Sequence, residues 1–340
     1  MPSSIKLYKV SLIGTQVQMK KNIAILMGGY SNEYKISLKS GEVVYDTLKN
    51  IFNCFKIHIL KENWLYIDDN NREFLVDKNS FIIDERPELK FDCAFNAIHG
   101  SPGEDGILQN YFSKLNIPIT GCGEFQSKIT FDKIKCLEYL KPHGIKSASS
   151  FTISKGDELN IERIVENVGL PCFVKASKSG SSYGISKVSK IDDFEKALEI
   201  AFKEDNQILI ESFIDGTEVS VGVISFENEI LALPITEIVT NNDFFDYNAK
   251  YKGESEEITP ARISEELTLK IKSIAKNIYN ILEMKGFSRS EFIIKNDEIF
   301  LLEVNSVPGL TKESILPKQA IAAGIELKDL FSNAINEAIN

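Results

Sequence analysis

Two short runs near the C-terminus hold residues that could grip a metal ion. The first is Arg289-Ser290-Glu291. The second is Glu303-Val304-Asn305-Ser306-Val307-Pro308-Gly309, behind the apolar pair Leu301-Leu302. On a strand, residues two apart share a face, so Arg289 stands with Glu291 and Glu303 with Asn305. Asn296-Asp297-Glu298 between the runs has turn chemistry and predicts a hairpin. A three-residue loop sets Lys295 opposite Ile299. Counting back then puts Glu291 opposite Glu303 and Arg289 opposite Asn305. Facing carboxylates repel by about 0.2–1 kcal/mol when exposed, and by more when buried. A cation between them removes the repulsion. Two carboxylates and an amide are all-oxygen ligands, which suit Mg²⁺ or Mn²⁺ rather than zinc. On the hairpin alone, a solvated strand face accounts for the pair equally well. The apolar flanks Leu301, Leu302 and Val304 tilt the reading toward the ion. So does Pro308-Gly309, where glycine lets a ligand approach the backbone.

Other segments carry phosphate chemistry. Residues 177–184, Ser-Lys-Ser-Gly-Ser-Ser-Tyr-Gly, follow a strand ending in Lys175. Their small side chains free backbone N–H groups, Ser181 and Ser182 among them, to fold over phosphate oxygens. No Gly-Lys-Ser/Thr follows, so this is not a P-loop. A flexible surface hairpin is the alternative. Lys133 and Lys175 are candidate phosphate ligands as point charges, although most of the 39 Lys and Arg residues must be solvated. Ile208–Ile214 is an apolar run with a single acid, Glu211. It is either a core strand or the wall of a purine pocket. Asp246-Tyr247-Asn248-Ala249-Lys250-Tyr251 lies in a polar segment, 240–259, and suggests a lid that excludes water. His99 is one of three histidines and sits beside Gly100 at a strand end.

These residues need a scaffold, and the chain supplies one in pieces. A strand at Asn22–Met27 runs into Gly28-Gly29 and a helix through Ile36–Leu48, a βα unit whose helix start can hold an anion. Strands follow at Phe52–Leu60, Phe91–Ala97 and Ile117–Gly121, with a helix over Gly103–Lys114. The alternation predicts a parallel sheet with sites at its strand C-termini. Beyond Gly123 the texture becomes a small α+β unit: helices at Thr130–Leu140, Ile161–Val168 and Phe194–Phe202, strands at Cys172–Lys175 and Ile208–Phe213. Long strands follow from Glu218, then helices at Glu265–Leu282 and Leu327–Ala338. Met19 precedes the first strand, and residues 1–18 read as a loosely held extension, too poor in apolar residues for a signal peptide.

The chain has 340 residues, 43% hydrophobic and 26% charged, as in an ordinary globular protein of two or three domains. A net charge of −10 argues against nucleic acid or an anionic membrane as the main partner. No apolar run is long enough to span a bilayer. Five scattered cysteines without a CxxC fit a reducing cytoplasm.

Taken in order, these motifs resemble the D-alanine–D-alanine ligases of the ATP-grasp superfamily, from about residue 22 to 335. The carrying residues are Gly28-Gly29, Ser31, Glu33, Ser37-Leu38, Ser40-Gly41; His99-Gly100 and Gly103-Glu104-Asp105-Gly106; Asp132-Lys133; Val174-Lys175, Gly180-Ser181-Ser182 and Gly184; Asp246-Tyr247 and Lys250-Tyr251; Arg289 and Glu291; Glu303, Asn305, Pro308-Gly309 and Thr311. The resemblance implies a mixed α/β and α+β fold. Residues 19–123 would form a Rossmann-like parallel-sheet domain, 124–214 a small central α+β domain, and 215–340 a mixed-sheet domain with the metal site and lid.

The resemblance also implies roles. Two D-alanines would be joined with ATP through an acyl phosphate, for a peptidoglycan precursor. Glu291, Glu303 and Asn305 would hold Mg²⁺ or Mn²⁺, two ions in all. Lys133 and Lys175 would hold the α- and β-phosphates, Lys250 the transferred one, under the Ser182 loop. Glu211, Phe213, Ile214 and Glu218 would surround adenine and ribose. Glu33 would take the first ammonium, with Ser181 and Tyr251 linked to it, and His99 would lie beside that substrate. Arg289 and the Gly309 N–H would stabilise the oxyanion, and Ser314 would take the second carboxylate. Relatives are commonly homodimers.

Two positions depart from the pattern. Glu291 stands where the family usually has Asp, moving the carboxylate outward by about 1.5 Å, and Ser306 replaces the usual Thr. Tyr251 favours a dipeptide over D-alanyl-D-lactate. The alternatives are another ATP-grasp carboxylate–amine ligase, a D-lactate or D-serine ligase, or a non-catalytic nucleotide-binding module.

Overall fold

The structure is a computed structural model and describes residues 20–240 and 255–340. The extension before Met19, and Lys250 and Tyr251 with their segment, lie outside the described residues.

β1 (Asn22–Gly28) is an apolar run buried along almost its whole length. It therefore sits inside a sheet, between two neighbours and covered on both faces. α1 (Tyr34–Leu48) leads to β2 (Asn53–Ile59), which pairs with β1 in parallel. Ser37, Ser40, Gly41, Val44 and Leu48 form the helix's buried stripe, at the three-to-four-residue spacing of one face. A Cβ at Gly41 would lie 2.6 Å from that of Met27, so only glycine lets helix and strand approach this closely. β3 (Trp64–Ile67), β4 (Glu73–Val76) and β5 (Cys93–Asn96) complete a sheet ordered β4-β3-β2-β1-β5. Only β2, β1 and β5 are parallel; β3 and β4 turn back antiparallel at one edge. That corrects the expectation of an all-parallel sheet. The expected strand at Ile117–Gly121 is reduced to one bridge, Ala94 with Ile119.

α2 (Ile107–Lys114) and α3 (Glu124–Phe131) lead to α4 (Lys133–Leu140). The single helix expected over Thr130–Leu140 is thus two, broken at Asp132. Asp132 is extended (φ −94°, ψ 99°) and its carboxylate caps α4 by accepting the Lys135 N–H. A capping aspartate competes with helix continuation, which explains the break.

The central sheet is β6 (Ser150–Ser154), β7 (Cys172–Ala176), β8 (Ile185–Val188) and β9 (Gln207–Ser212), in the order β6-β9-β7-β8. α5 (Ile161–Val168) and α6 (Phe194–Ala201) cover one face. Cys172, Val174 and Ala176 point into that core, while Phe173 and Lys175 take the other face by alternation.

The third sheet holds β10 (Thr217–Phe226), β12 (Thr236–Thr240), β13 (Ser255–Ile258), β14 (Phe287–Lys295) and β15 (Glu298–Asn305), with β11 (Glu229–Ala232) on the far half of β10. α7 (Glu265–Ile281), α8 (Ile315–Ala322) and α9 (Leu327–Ile339) finish the chain. α9 does not stay with its own sheet alone. Leu330, Phe331 and Ile335 share one core with Ile23, Ile25 and Phe95 of the first sheet. Each such side chain, fully buried, stabilises by about 1.5–3 kcal/mol. First and third sheets are therefore fused, whereas the central sheet keeps a core of its own.

Candidate active site

A cavity of about 460 Å³ lies between the open face of the central sheet and the third sheet. Lys175 enters it from β7 and Glu211 from β9; Phe213, Ile214 and Glu218 line it where one sheet passes to the other. Glu291 and Ile293 face it from β14, Leu302 and Glu303 from β15, and Lys133 from the first turn of α4. The Lys175 ammonium donates to Glu211 at 2.7 Å, with the Glu211 side chain 1% exposed. Burial alone would lower Lys175, but Glu211, with Glu303 and Glu218 beyond, holds it above its ordinary value. The second Glu211 oxygen, Oε1, is buried without a hydrogen-bond partner among the described residues. Such an acceptor is satisfied by a donor entering the cavity.

The acid pair faces as expected, but by another route. The turn is two residues, Asn296 and Asp297, both left-handed (φ 51° and 61°), so Lys295 pairs with Glu298 rather than Ile299. A bulge at Leu302 then absorbs one residue and restores the count: Glu291 stands opposite Glu303, and Arg289 opposite Asn305. The bulge also turns Leu302 and Glu303 to the cavity together. Without it Glu303 would lie opposite Ser290, which is 1% exposed and faces away. Arg289 donates to Glu291 at 2.6 Å, and Lys133 pairs with Glu303 at 3.2 Å. Asn305 reaches the Arg289 carbonyl through Nδ2 at 3.5 Å. Glu291, Glu303 and Asn305 thus form an oxygen donor set on one surface, backed by apolar side chains, and fit a hard divalent ion.

Lys133 is placed by the helix break. Ser177 is fully buried, donates to Asp132 at 2.7 Å, and accepts the Ile134 N–H at 3.2 Å. Lys133 itself donates to the Ser179 carbonyl at 2.6 Å. The serine-glycine loop is therefore fastened at its base to α4. At its tip Ser181 and Ser182 are left-handed (φ 48° and 60°), a conformation costly for non-glycine residues and concentrated at functional sites.

The tip reaches the first sheet. Ser181 donates a short hydrogen bond to Glu33, which is 8% exposed at the start of α1. Gly180 packs directly on the same carboxylate, and a Cβ at Gly100 would stand 3.1 Å from it. His99 is 4% exposed, and both ring nitrogens are engaged: Nδ1 with the Val307 carbonyl at 2.9 Å and Nε2 with Ser40 at 2.8 Å. A carbonyl only accepts, so Nδ1 carries the proton and neutral His99 takes the Ser40 hydroxyl at Nε2. Burial lowers the imidazole, opposed by Glu33. Glu104, not singled out for a role from sequence, is buried beside this cluster. Burial and then Glu33 push its carboxyl up. Its only signal was membership of the Gly103-Glu104-Asp105-Gly106 turn.

At the far end Gly309 packs against Ser314, where a Cβ would meet Oγ at 2.6 Å. Ser314 precedes α8 without capping it; its hydroxyl pairs with Thr311 at 2.8 Å. The first N–H groups of a helix have no partner within it, which favours an anion at the start of α8. The structure brings Lys133, Lys175, Ser182, Glu211, Phe213, Ile214, Glu218, Glu291 and Glu303 to the lining of one cavity. Asn305 lies with Lys133 and Glu303 on an adjoining cleft that includes Glu104 and Gly180.

Family models match along nearly the whole described chain: D-ala D-ala ligase N-terminus over residues 22–122 and D-ala D-ala ligase C-terminus over residues 140–336. The chain belongs to the D-alanine–D-alanine ligase family. A relative named D-alanine–D-alanine ligase, from Flavobacterium johnsoniae, is 60% identical over 317 residues, covering 93% of this chain and 98% of that protein. Among solved structures, the VanG D-Ala:D-Ser ligase from Enterococcus faecalis superposes with a TM-score of 0.81 at 30% identity, covering 94% of this chain and all of that one, 100%. The D-alanine–D-alanine ligase from Bacillus anthracis, solved in complex with ATP, gives 0.76 at 28% identity, over 94% and 97% of the two chains. The architecture of this D-alanine–D-alanine ligase family member is the ATP-grasp fold, and the cavity lies between the two sheets that define it.

Proposed function

We propose that this chain joins two molecules of D-alanine to D-alanyl-D-alanine at the expense of ATP, for a peptidoglycan precursor. The carboxylate of the first D-alanine attacks the γ-phosphorus, ADP leaves, and an acyl phosphate forms. The amine of the second D-alanine attacks its carbonyl carbon, and phosphate departs from the tetrahedral intermediate. Such phosphoryl transfer needs mainly positioning and charge neutralisation.

The observation that carries this reading is one loop, residues 177–184, that borders two different ends. One end has Lys133 and Lys175 beside Glu291 and Glu303. The other has a buried carboxylate, Glu33, clasped by the Ser181 loop. The first suits polyphosphate, the second an ammonium group. Lys133 and Lys175 take the α- and β-phosphates under Ser182. Glu211, Phe213, Ile214 and Glu218 take adenine and ribose, with the unpaired Glu211 oxygen facing the exocyclic amine. Glu33 takes the first ammonium and His99 packs beside it. Arg289 and the Gly309 N–H meet the oxyanion, a preorganised contribution of about 2.7–4 kcal/mol per donor. Ser314, at the start of α8, takes the second carboxylate. Lys250 and Tyr251 supply the transferred-phosphate contact and the lid. A bound Mg²⁺ or Mn²⁺ pair would neutralise phosphate charge; Glu291, Glu303 and Asn305 would hold it.

In this reading the chain divides into 19–123, 124–214 and 215–340, with 1–18 as an extension. The enzyme works as a homodimer in the cytoplasm, without nucleic acid or membrane. No helix among the described residues is long and apolar enough to cross a bilayer. Phosphate release from ATP with D-alanine, L-alanine, or D-alanine plus competing D-serine or D-lactate tests the reading. D-alanine alone should drive release and give the dipeptide by mass spectrometry. Equal response to L-alanine, or a dominant mixed product, would refute it.

A further inference from the structure

We propose that Glu104 is a positioning residue that ties the loop carrying His99 and Gly100 to the loop carrying Val307, just beyond Asn305 at the end of β15. It thereby sets the first amino-acid site against the phosphate end of the cavity. The proposal deepens the ligase reading and rests on it.

Glu104 Oε2 accepts the Gly100 N–H at 2.6 Å, and Oε1 accepts the Val307 N–H at 3.2 Å. Gly100 follows the first sheet and Val307 the third, more than 200 residues later in the chain. The residue is 8% exposed, so losing either bond leaves a backbone N–H largely shielded from water. Val307 is gripped at both ends of its backbone: Glu104 holds its N–H and His99 Nδ1 holds its carbonyl. Gly100, His99, Val307 and Glu104 therefore close a ring. Within reach of that ring stand both substrate ends. Glu104 shares a narrow cleft with Lys133, Gly180, Glu303 and Asn305, and Gly100 and Gly180 both lie against the Glu33 carboxylate.

Each Glu104 oxygen accepts one backbone N–H, so the tie needs an acceptor at both positions. Glutamine offers one acceptor and one NH₂, so in Glu104→Gln an N–H must face either Gly100 or Val307. One tie is lost and a buried donor is left unmatched. Glu104→Asp keeps both acceptor oxygens but is shorter by a methylene and cannot span both loops.

The test uses the full chain as wild type, Glu104→Gln and Glu104→Asp. Phosphate release is measured with D-alanine varied at saturating ATP, then with ATP varied. In parallel, ring-nitrogen NMR follows the histidines, of which there are only three. Both variants should raise KM for D-alanine at least tenfold and leave KM for ATP within twofold. The His99 Nδ1 signal should move, with His58 and His143 unchanged. If either variant fails to fold, the other decides. Wild-type-like KM for D-alanine overturns the proposal. So does an unmoved His99 signal, or a loss shared equally between D-alanine and ATP, which marks a merely structural acid. If the wild type itself shows no D-alanine-dependent release, the ligase reading fails, and the His99 signal alone decides whether Glu104 holds Val307.

Discussion

Ser181 donates its hydroxyl to the Glu33 carboxylate across 148 residues of chain, joining the tip of the central sheet's loop to the first turn of α1. A charge-assisted bond of this kind contributes about 1.5–3 kcal/mol, so its loss corresponds to roughly ten- to a hundredfold in affinity. Ser181→Ala should raise KM for D-alanine by at least about tenfold, while KM for ATP stays nearly constant. Steady-state phosphate release with each substrate varied in turn checks this. An unchanged KM for D-alanine would remove the bond from substrate binding.

Gly180 adjoins the same carboxylate with no room for a side chain. Gly180→Ala must push the loop or Glu33 aside. The expected loss in kcat/KM for D-alanine exceeds that of Ser181→Ala, with a melting temperature close to wild type because the loop tip lies outside the central core. Activity above that of Ser181→Ala would contradict the close approach.

Glu291 can be shortened to the aspartate that the resemblance leads one to expect there. Glu291→Asp draws the carboxylate back by about 1.5 Å and away from Arg289, which it meets at 2.6 Å. Mg²⁺ demands near-ideal octahedral geometry, so the variant should stay active but change its ratio of Mg²⁺- to Mn²⁺-supported turnover. Parallel assays in the two metals read this out. An identical ratio would place Glu291 away from the ion.

His99 gives a pH signature. Burial keeps its imidazole below the ordinary value, so the unfolded chain binds the proton first as pH falls. Stability should therefore decline as pH drops below about 6.5, by at most about 1.4 kcal/mol per pH unit for one proton. It should be flat for this group above that value. Denaturant unfolding between pH 7.5 and 5.5 should show a shallower decline in His99→Gln than in wild type. His58, also lowered by burial, supplies part of what remains.

Much of the scaffold was legible because its signals are local. The apolar run of β1 and the capped, periodic α7 announce themselves by pattern. The facing acids were legible too, though by an accident of counting. A three-residue turn without a bulge and a two-residue turn with one give the same pairing at Glu291. The bulge was not readable, since Leu301-Leu302 offers no local reason to prefer either residue as the extra one. The break at Asp132 was missed although its cap on the Lys135 N–H is local, because the Ser177 hydroxyl that also holds the carboxylate lies 45 residues away. β3 and β4 were missed because each is only four residues long, too short to show a periodic pattern. Glu104 was missed for a similar reason: its partners, the N–H groups of Gly100 and Val307, are set by the tertiary fold and not by side-chain pattern.

The central claim is that a divalent ion sits between Glu291 and Glu303 at the phosphate end of the cavity. Electron paramagnetic resonance of Mn²⁺ titrated into the ATP-bound protein reports this directly. Wild type should show tight, saturable Mn²⁺ binding. Glu303→Gln, folded and with its melting temperature preserved, should lose that binding and with it turnover, by on the order of 10²-fold or more. Mn²⁺ binding and phosphate release in Glu303→Gln equal to wild type would contradict the account.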